Sequence, residues 1–294
     1  FEKGILNTLI EKAFFGRLNT AAKKFYISLS LFESFTLRQA TDVSRESLEF
    51  AIENLDGNGF VHYDSKKQEY YFHNLLREYL KTVFDSLPEA EKNNIRLLSA
   101  GWEECNGKKI NAIKLYHAAG AYEKIFSMSH TSYDLADIED NDTHQMILDI
   151  LDKAPYEVKK KHPESMVPLA FVLFFLNEHE KLAETINEIF SLTEMSPLQK
   201  AEKNTVLGET ELLVSFTKYN DIAQMSVHHR RAYELLGRHA SLINIQSTWT
   251  FGSPSVMCLY HSRAGELDNE LELMDECMPY YYRLTGGHGT GAEY

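Results

Sequence analysis

Past Leu87 the sequence repeats one pattern: a stretch with helical spacing, a short polar break, and another helical stretch. Breaks fall near 119–121 and then at Asn177, Asn220 and Gly265, the last three about 44 residues apart. That period is longer than the roughly 34 residues of a tetratricopeptide unit and close to other helical-pair arrays. No run in this part alternates as a half-buried strand does. Each pair carries apolar residues on more than one side, as neighbours stacked on both faces require. Residues 87–294 are therefore expected to form a TPR-like, α-helical-repeat solenoid, truncated at its C-terminal end. Within it, 129–143 is expected to be a polar loop or an irregular early repeat, because Asp134, Asp137, Glu139, Asp140 and Asp142 crowd its middle.

Residues 1–86 follow a different plan. AAKKFYISLSLF (21–32) fits an amphipathic helix, and a short segment over 35–42 follows. Ser44 is expected to cap a helix over 44–56, with Leu48, Ala51, Ile52 and Leu55 at helical spacing and Gly57 and Gly59 stopping it. Ser47 stands where a capping box would want Glu. Residues 60–63 and 69–72 are rich in aromatic and β-branched side chains. The polar turn 64–68 joins them into a hairpin. NLLREYLKTVF then reads as helix. Helix, helix, helix, hairpin, helix is a winged-helix outline. The expected fold class is thus mainly α: a small winged-helix domain over 1–86, followed by the helical array over 87–294.

Several function classes are disfavoured. The longest apolar run, MVPLAFVLFFL (166–176), is too short to cross a bilayer and reads as a buried helix, so no membrane partner is expected. Cys105, Cys258 and Cys277 are odd in number and widely spaced, which fits a reducing cytoplasm rather than a disulfide framework or a zinc site. The chain carries a formal net charge of −13. Residues 1–86 hold 11 Lys/Arg against 12 Asp/Glu. In the helix that holds the recognition-helix position of such a fold, 44–56, Arg45 stands against Glu46, Glu49, Glu53 and Asp56. An acidic helix is repelled by a polyanion, so no nucleic acid is expected to bind this stretch. The start at Phe1 and the end at Tyr294, without a helix stop, read as cuts within a longer protein.

The glycine-rich TGGHGTG (285–291) invites a phosphate-loop reading. It has no lysine for a Walker loop and follows a helix-like stretch rather than a strand, so it is expected to be a connector between helices. His228 and His229 are adjacent, about 100° apart on a helix, and cannot form the i, i+4 pair of a zinc helix. HExxH and GxSxG are absent. No catalytic residue, metal ligand or enzymatic activity is expected of this chain. The aromatics Trp249, Phe251, Tyr260, Tyr280, Tyr281 and Tyr282 are expected mostly to pack between helix pairs. Three consecutive tyrosines cover most of a helix circumference, so at least one must leave the core. A tyrosine ring with its polar tip suits a ligand groove. Trp249, Tyr260, Tyr280, Tyr281, Tyr282, Arg283 and His288 form the expected effector-facing set.

FHNLLREYL (72–80) resembles the end of the winged helix in signal-transducing ATPases of the STAND class. More closely, it resembles the large ATP-dependent LuxR-type bacterial transcription regulators, the MalT-like group. WEECNGKKINAIKLYHAAGAYEKIF (102–126) looks like that group's first helical pairs after the winged helix. TFGSPSVMCLYHSRAGELD and MPYYYRLTGGHGTGAEY look like a section of its sensor array. The resemblance covers essentially the whole chain. It implies an ATPase module before Phe1 that binds and slowly hydrolyses ATP, and a helix-turn-helix DNA-binding domain after Tyr294. The cofactor of the full-length protein would be ATP or ADP, with none held by this stretch alone. Partners would be a small-molecule inducer or a regulatory protein, with self-association on activation. The resemblance further implies that His73 contacts the β-phosphate of bound ADP; Asn74 departs from the acidic residue that many relatives carry next. The alternative is a protein–protein scaffold without a small-molecule ligand.

Overall fold

The computed structural model describes residues 2–131, 133–135, 141–218, 221–242 and 264–287. The chain is mainly helical, and its strands among the described residues are the two of one antiparallel hairpin. It divides into two compact units, Phe1–Ala121 and Tyr122–Tyr294.

The first unit begins with α1 (Glu2–Ala13), α2 (Thr20–Leu29), α3 (Leu37–Ser44) and α4 (Leu48–Leu55). The hairpin β1 (Val61–Asp64) and β2 (Glu69–Phe72) follows, then α5 (Asn74–Ser86), α6 (Glu89–Cys105) and α7 (Lys109–Ala118). The helix expected over 44–56 is two elements. Ser44 does not cap the second; it ends α3, and its hydroxyl donates to the Ala40 carbonyl at 2.6 Å. Arg45 then turns the chain in the left-handed region at φ 61°. The true caps are Thr36, which accepts from Gln39 N–H, and Ser47, which accepts from Phe50 N–H. A cap without its glutamate partner was enough, because α4 is anchored by the buried Ala51 and Leu55.

The hairpin pairs Val61 with Phe72 and Asp64 with Glu69. Its turn is held by Asp64 Oδ1, which accepts from the N–H groups of Lys66 and Lys67. Phe35 adds a short bridge to Tyr70, with N···O distances of 2.9 and 2.7 Å. Alternation turns Val61 and Phe72 into a core built on Phe25, Tyr26, Leu29, Phe35, Leu76 and Leu80. It leaves His62 and Tyr71 on the outer face.

The second unit contains α8 (Tyr122–Ser127), α9 (Asn141–Lys153), α10 (Tyr156–Lys161), α11 (Met166–Phe175), α12 (His179–Met195), α13 (Lys200–Thr217), α14 (Ile222–Leu236) and α15 (Leu267–Leu284). The expected breaks at 119–121 and Asn177 lie between helices, and Asn177 takes φ 58° to make its turn. Gly265 also has positive φ, and α15 starts two residues later. Asn220 lies outside the described residues, as do Asp137, Glu139, Asp140 and Cys258. Neighbouring helices pack as pairs, α11 on α12, α13 on α14, and α14 on α15. Cys105 is exposed and Cys277 buried, both free thiols.

Helices α13 and α14 approach closely at Gly208. A Cβ there would stand 2.6 Å from Leu236 Cγ and 3.3 Å from the Ala232 carbonyl oxygen. Gly208→Val is therefore expected to destabilise the second unit by about 1–3 kcal/mol through overpacking. Gly208→Ala should lose less, because alanine regains about 1 kcal/mol of helix propensity. Thermal denaturation of the two variants checks the order.

Candidate functional site

On the first unit the outer face of the hairpin ends at the start of α5. His62 pairs with Tyr71 across the strands, and their rings stack at 5.3 Å between centroids. His73 lies two residues beyond Tyr71, on the same face by strand alternation, its ring 5.9 Å from that of His62. Its backbone N–H donates to Phe60 O at 2.8 Å, which ties the end of β2 to the start of β1. The side chain caps α5: Nδ1 accepts from Leu75 N–H at 3.3 Å. A neutral imidazole whose Nδ1 accepts must carry its proton on Nε2. The cap therefore fixes the tautomer and leaves an Nε2–H donor on an exposed residue at the positive end of a helix dipole. Tyr71 and Leu75, both exposed, flank it with apolar surface.

In the second unit Tyr280, Tyr281, Tyr282 and Arg283 sit in the last turns of α15. Tyr281 is buried, its ring 5.0 Å from that of His229 on α14. Tyr280 meets Tyr233 edge-on, with the guanidinium groups of Arg230 and Arg283 5.0 and 5.7 Å from its ring centre. Tyr282 is half-buried and Arg283 exposed. The expectation that three adjacent tyrosines could not share one core is met by this division: one ring inside, two partly out. Gly286 and Gly287 both take positive φ, and Gly287 N–H donates to Tyr282 O, so this part of the glycine run stops α15. Trp249, Phe251, Tyr260 and His288 lie outside the described residues.

His228 and His229 diverge as expected. His228 Nδ1 lies 2.6 Å from Glu211 Oε2. His229 is fully buried, and neither ring nitrogen has a hydrogen-bond partner. Burial first, and the neighbouring His228 second, push its pKa down to about 4. Among the described residues no group of three His, Cys, Asp or Glu side chains is placed to hold a metal ion.

Among the cavities of the second unit, two lie between its helices and the segments they hold. One of about 270 Å³ is bordered by Ser165, Thr205, Glu209 and Ser241. The other, of about 690 Å³, is formed by α11, α12 and α13. Phe174, Phe175, Leu182, Ile186, Val214 and Phe216 wall it. The run 166–176, read as a buried helix, is buried from Met166 through Leu173 apart from the half-buried Pro168, yet Phe175 is 66% exposed at this cavity. Sequence reading missed the cavity. Its trace was an apolar run with no polar face, more than one helix contact needs.

Compared with protein families, curated proteins and solved structures, the chain returns no match.

Proposed function

We propose that this chain is the relay and sensor region of a LuxR-type, MalT-like ATP-dependent transcription regulator of the STAND class. In this reading the first unit carries a winged helix over 1–86, and the second belongs to a TPR-like sensor array. An inducer or partner binds the array. The winged helix then releases its hold on ADP in a neighbouring ATPase module, ATP enters, and the protein self-associates in the cytoplasm so that its DNA-binding domain engages promoters. The chain itself acts as a switch rather than as an enzyme.

The observation that carries the reading is His73. Capping α5 through Nδ1 does not compete with a phosphate contact; it presets Nε2–H as the donor for one. The apolar flank of Tyr71 and Leu75 suits a module interface. Helix α4 supports a relay over DNA reading, because it carries Glu49 and Glu53 and no basic residue.

Two substitutions separate cap from contact in the protein that includes the ATPase module. His73→Ser keeps an N-cap and removes the Nε2 donor, whereas His73→Ala removes both. Both are expected to speed ADP release about tenfold, as loss of one charge-assisted hydrogen bond implies, and to raise basal transcription. Only His73→Ala should also lose about 0.5–2 kcal/mol of stability. Unchanged ADP release in His73→Ser would remove the nucleotide role. At the level of the gene, a P-loop module before Phe1 and a basic helix-turn-helix domain after Tyr294 are required; their absence overturns the whole reading.

A further inference from the structure

We infer that the cavity between α11, α12 and α13 is a binding site for a small, uncharged, largely apolar molecule with an aromatic or fused ring. It is distinct from the tyrosine-rich end of α15. Its volume of about 690 Å³ lies within the range of small-ligand sites, about 300–1,000 Å³. The wall is aromatic: the Phe174 ring lies 5.7 Å from Phe175 and 5.9 Å from Phe216, and Phe171 backs the group 5.8 Å from Phe216. Such edge and tilted arrangements leave ring faces and edges open to a further ring. Phe175, 66% exposed, is an aromatic side chain left in water at the site, and an occupant that covered it would gain its burial.

Charge selects the ligand class. No carboxylate, ammonium or guanidinium is among the described lining residues. The polar groups are Asn177, His179, Asn187 and Thr217. The Thr217 hydroxyl already donates to Val214 O at 2.7 Å. The amides of Asn177 and Asn187, both on exposed residues, each offer a neutral donor and acceptor to one or two hydroxyl or carbonyl groups on the ligand. An ionic ligand would lose its hydration here without finding a counter-charge.

Only the role of the site as an inducer pocket rests on the sensor reading; binding itself does not.

The test uses N-phenyl-1-naphthylamine, a neutral ring probe that fluoresces in apolar surroundings, titrated into the 294-residue chain. Ala183 lines the cavity on an exposed position of α12, so Ala183→Trp fills the site without touching the core. Glu184→Trp places the same ring one residue away, outside the lining. Saturable one-site binding is expected, weakened about tenfold or more by Ala183→Trp and unchanged by Glu184→Trp. The sulfonated, anionic analogue should bind at least about tenfold more weakly. Non-saturable binding, equal binding by the two tryptophan variants, or preference for the anion would overturn the inference. Saturable binding in a gene lacking the ATPase module would retain the pocket and discard the sensor reading. Failure of the probe where that module is encoded would do the reverse.

Discussion

Glu209→Ala is expected to destabilise the second unit by about 2–4 kcal/mol, more than any other exchange considered for this protein. Glu209 is buried on α13, and its carboxylate accepts three hydrogen bonds. These come from Ser241 N–H at 2.6 Å, Ser241 Oγ–H at 2.8 Å and Leu242 N–H at 3.0 Å. The Leu242 N–H is buried, and losing its acceptor costs about 1–3 kcal/mol; Ser241 is exposed, so water takes up its donors and their loss adds only about 1 kcal/mol. The same segment is held from the other side, where Ala240 N–H donates to Leu284 O at the end of α15 at 2.8 Å. Glu209 therefore fixes the chain after α14 to α13 and, through Ala240, supports the end of α15. Denaturant unfolding measures the loss. Amide exchange at Ser241 and Leu242 should accelerate in parallel. Glu209→Gln, which keeps one carbonyl acceptor, should lose less than half as much. Protected amides in Glu209→Ala would show that the segment is held by something else.

The second large effect is at His229 and depends on pH. In the unfolded chain this imidazole has its ordinary pKa of 6.5; in the folded protein burial lowers it to about 4. Between those values the unfolded state binds one proton more than the folded state. Stability from this residue is thus fully present above pH 6.5 and falls as pH drops towards 4. The window corresponds to about 3 kcal/mol at 1.36 kcal/mol per pKa unit. His229→Leu preserves most of the volume beside Tyr281 and removes both partnerless nitrogens. The variant should be at least as stable as the parent at pH 7.5. Its further loss between pH 7.5 and pH 4.5 should be smaller by about 2–3 kcal/mol. Taking the difference between the two proteins cancels the titration of every other group. Parallel pH profiles would show that His229 can be charged in place.

The hairpin was legible to within a residue, because alternation of aromatic and β-branched side chains around a polar turn has few other solutions. The breaks at 119–121, Asn177 and Gly265 were legible for a similar reason, since glycine or asparagine marks a left-handed residue there. The boundary between α3 and α4 was not. Ser44 and Ser47 both satisfy the local preference for a cap, and the choice depended on burying Val43 with α3 and Ala51 and Leu55 with α4.

His73 could be singled out from its motif, but the state of its ring could not. Nδ1 is committed to Leu75 N–H only once α5 begins at Asn74. The cavity under Phe175 and the Glu209 anchor lay beyond sequence reading altogether. Phe174 and Phe216 are more than forty positions apart, and Glu209 reaches its partners more than thirty positions away. The sequence by itself determined a mainly helical chain, its hairpin, its acidic α4 and its helix breaks, because periodicity and backbone preference act over a few residues. Tertiary structure alone decided which aromatic stays in water, which histidine is sealed from it and which glutamate holds a passing segment. Those outcomes depend on what each side chain meets across the fold.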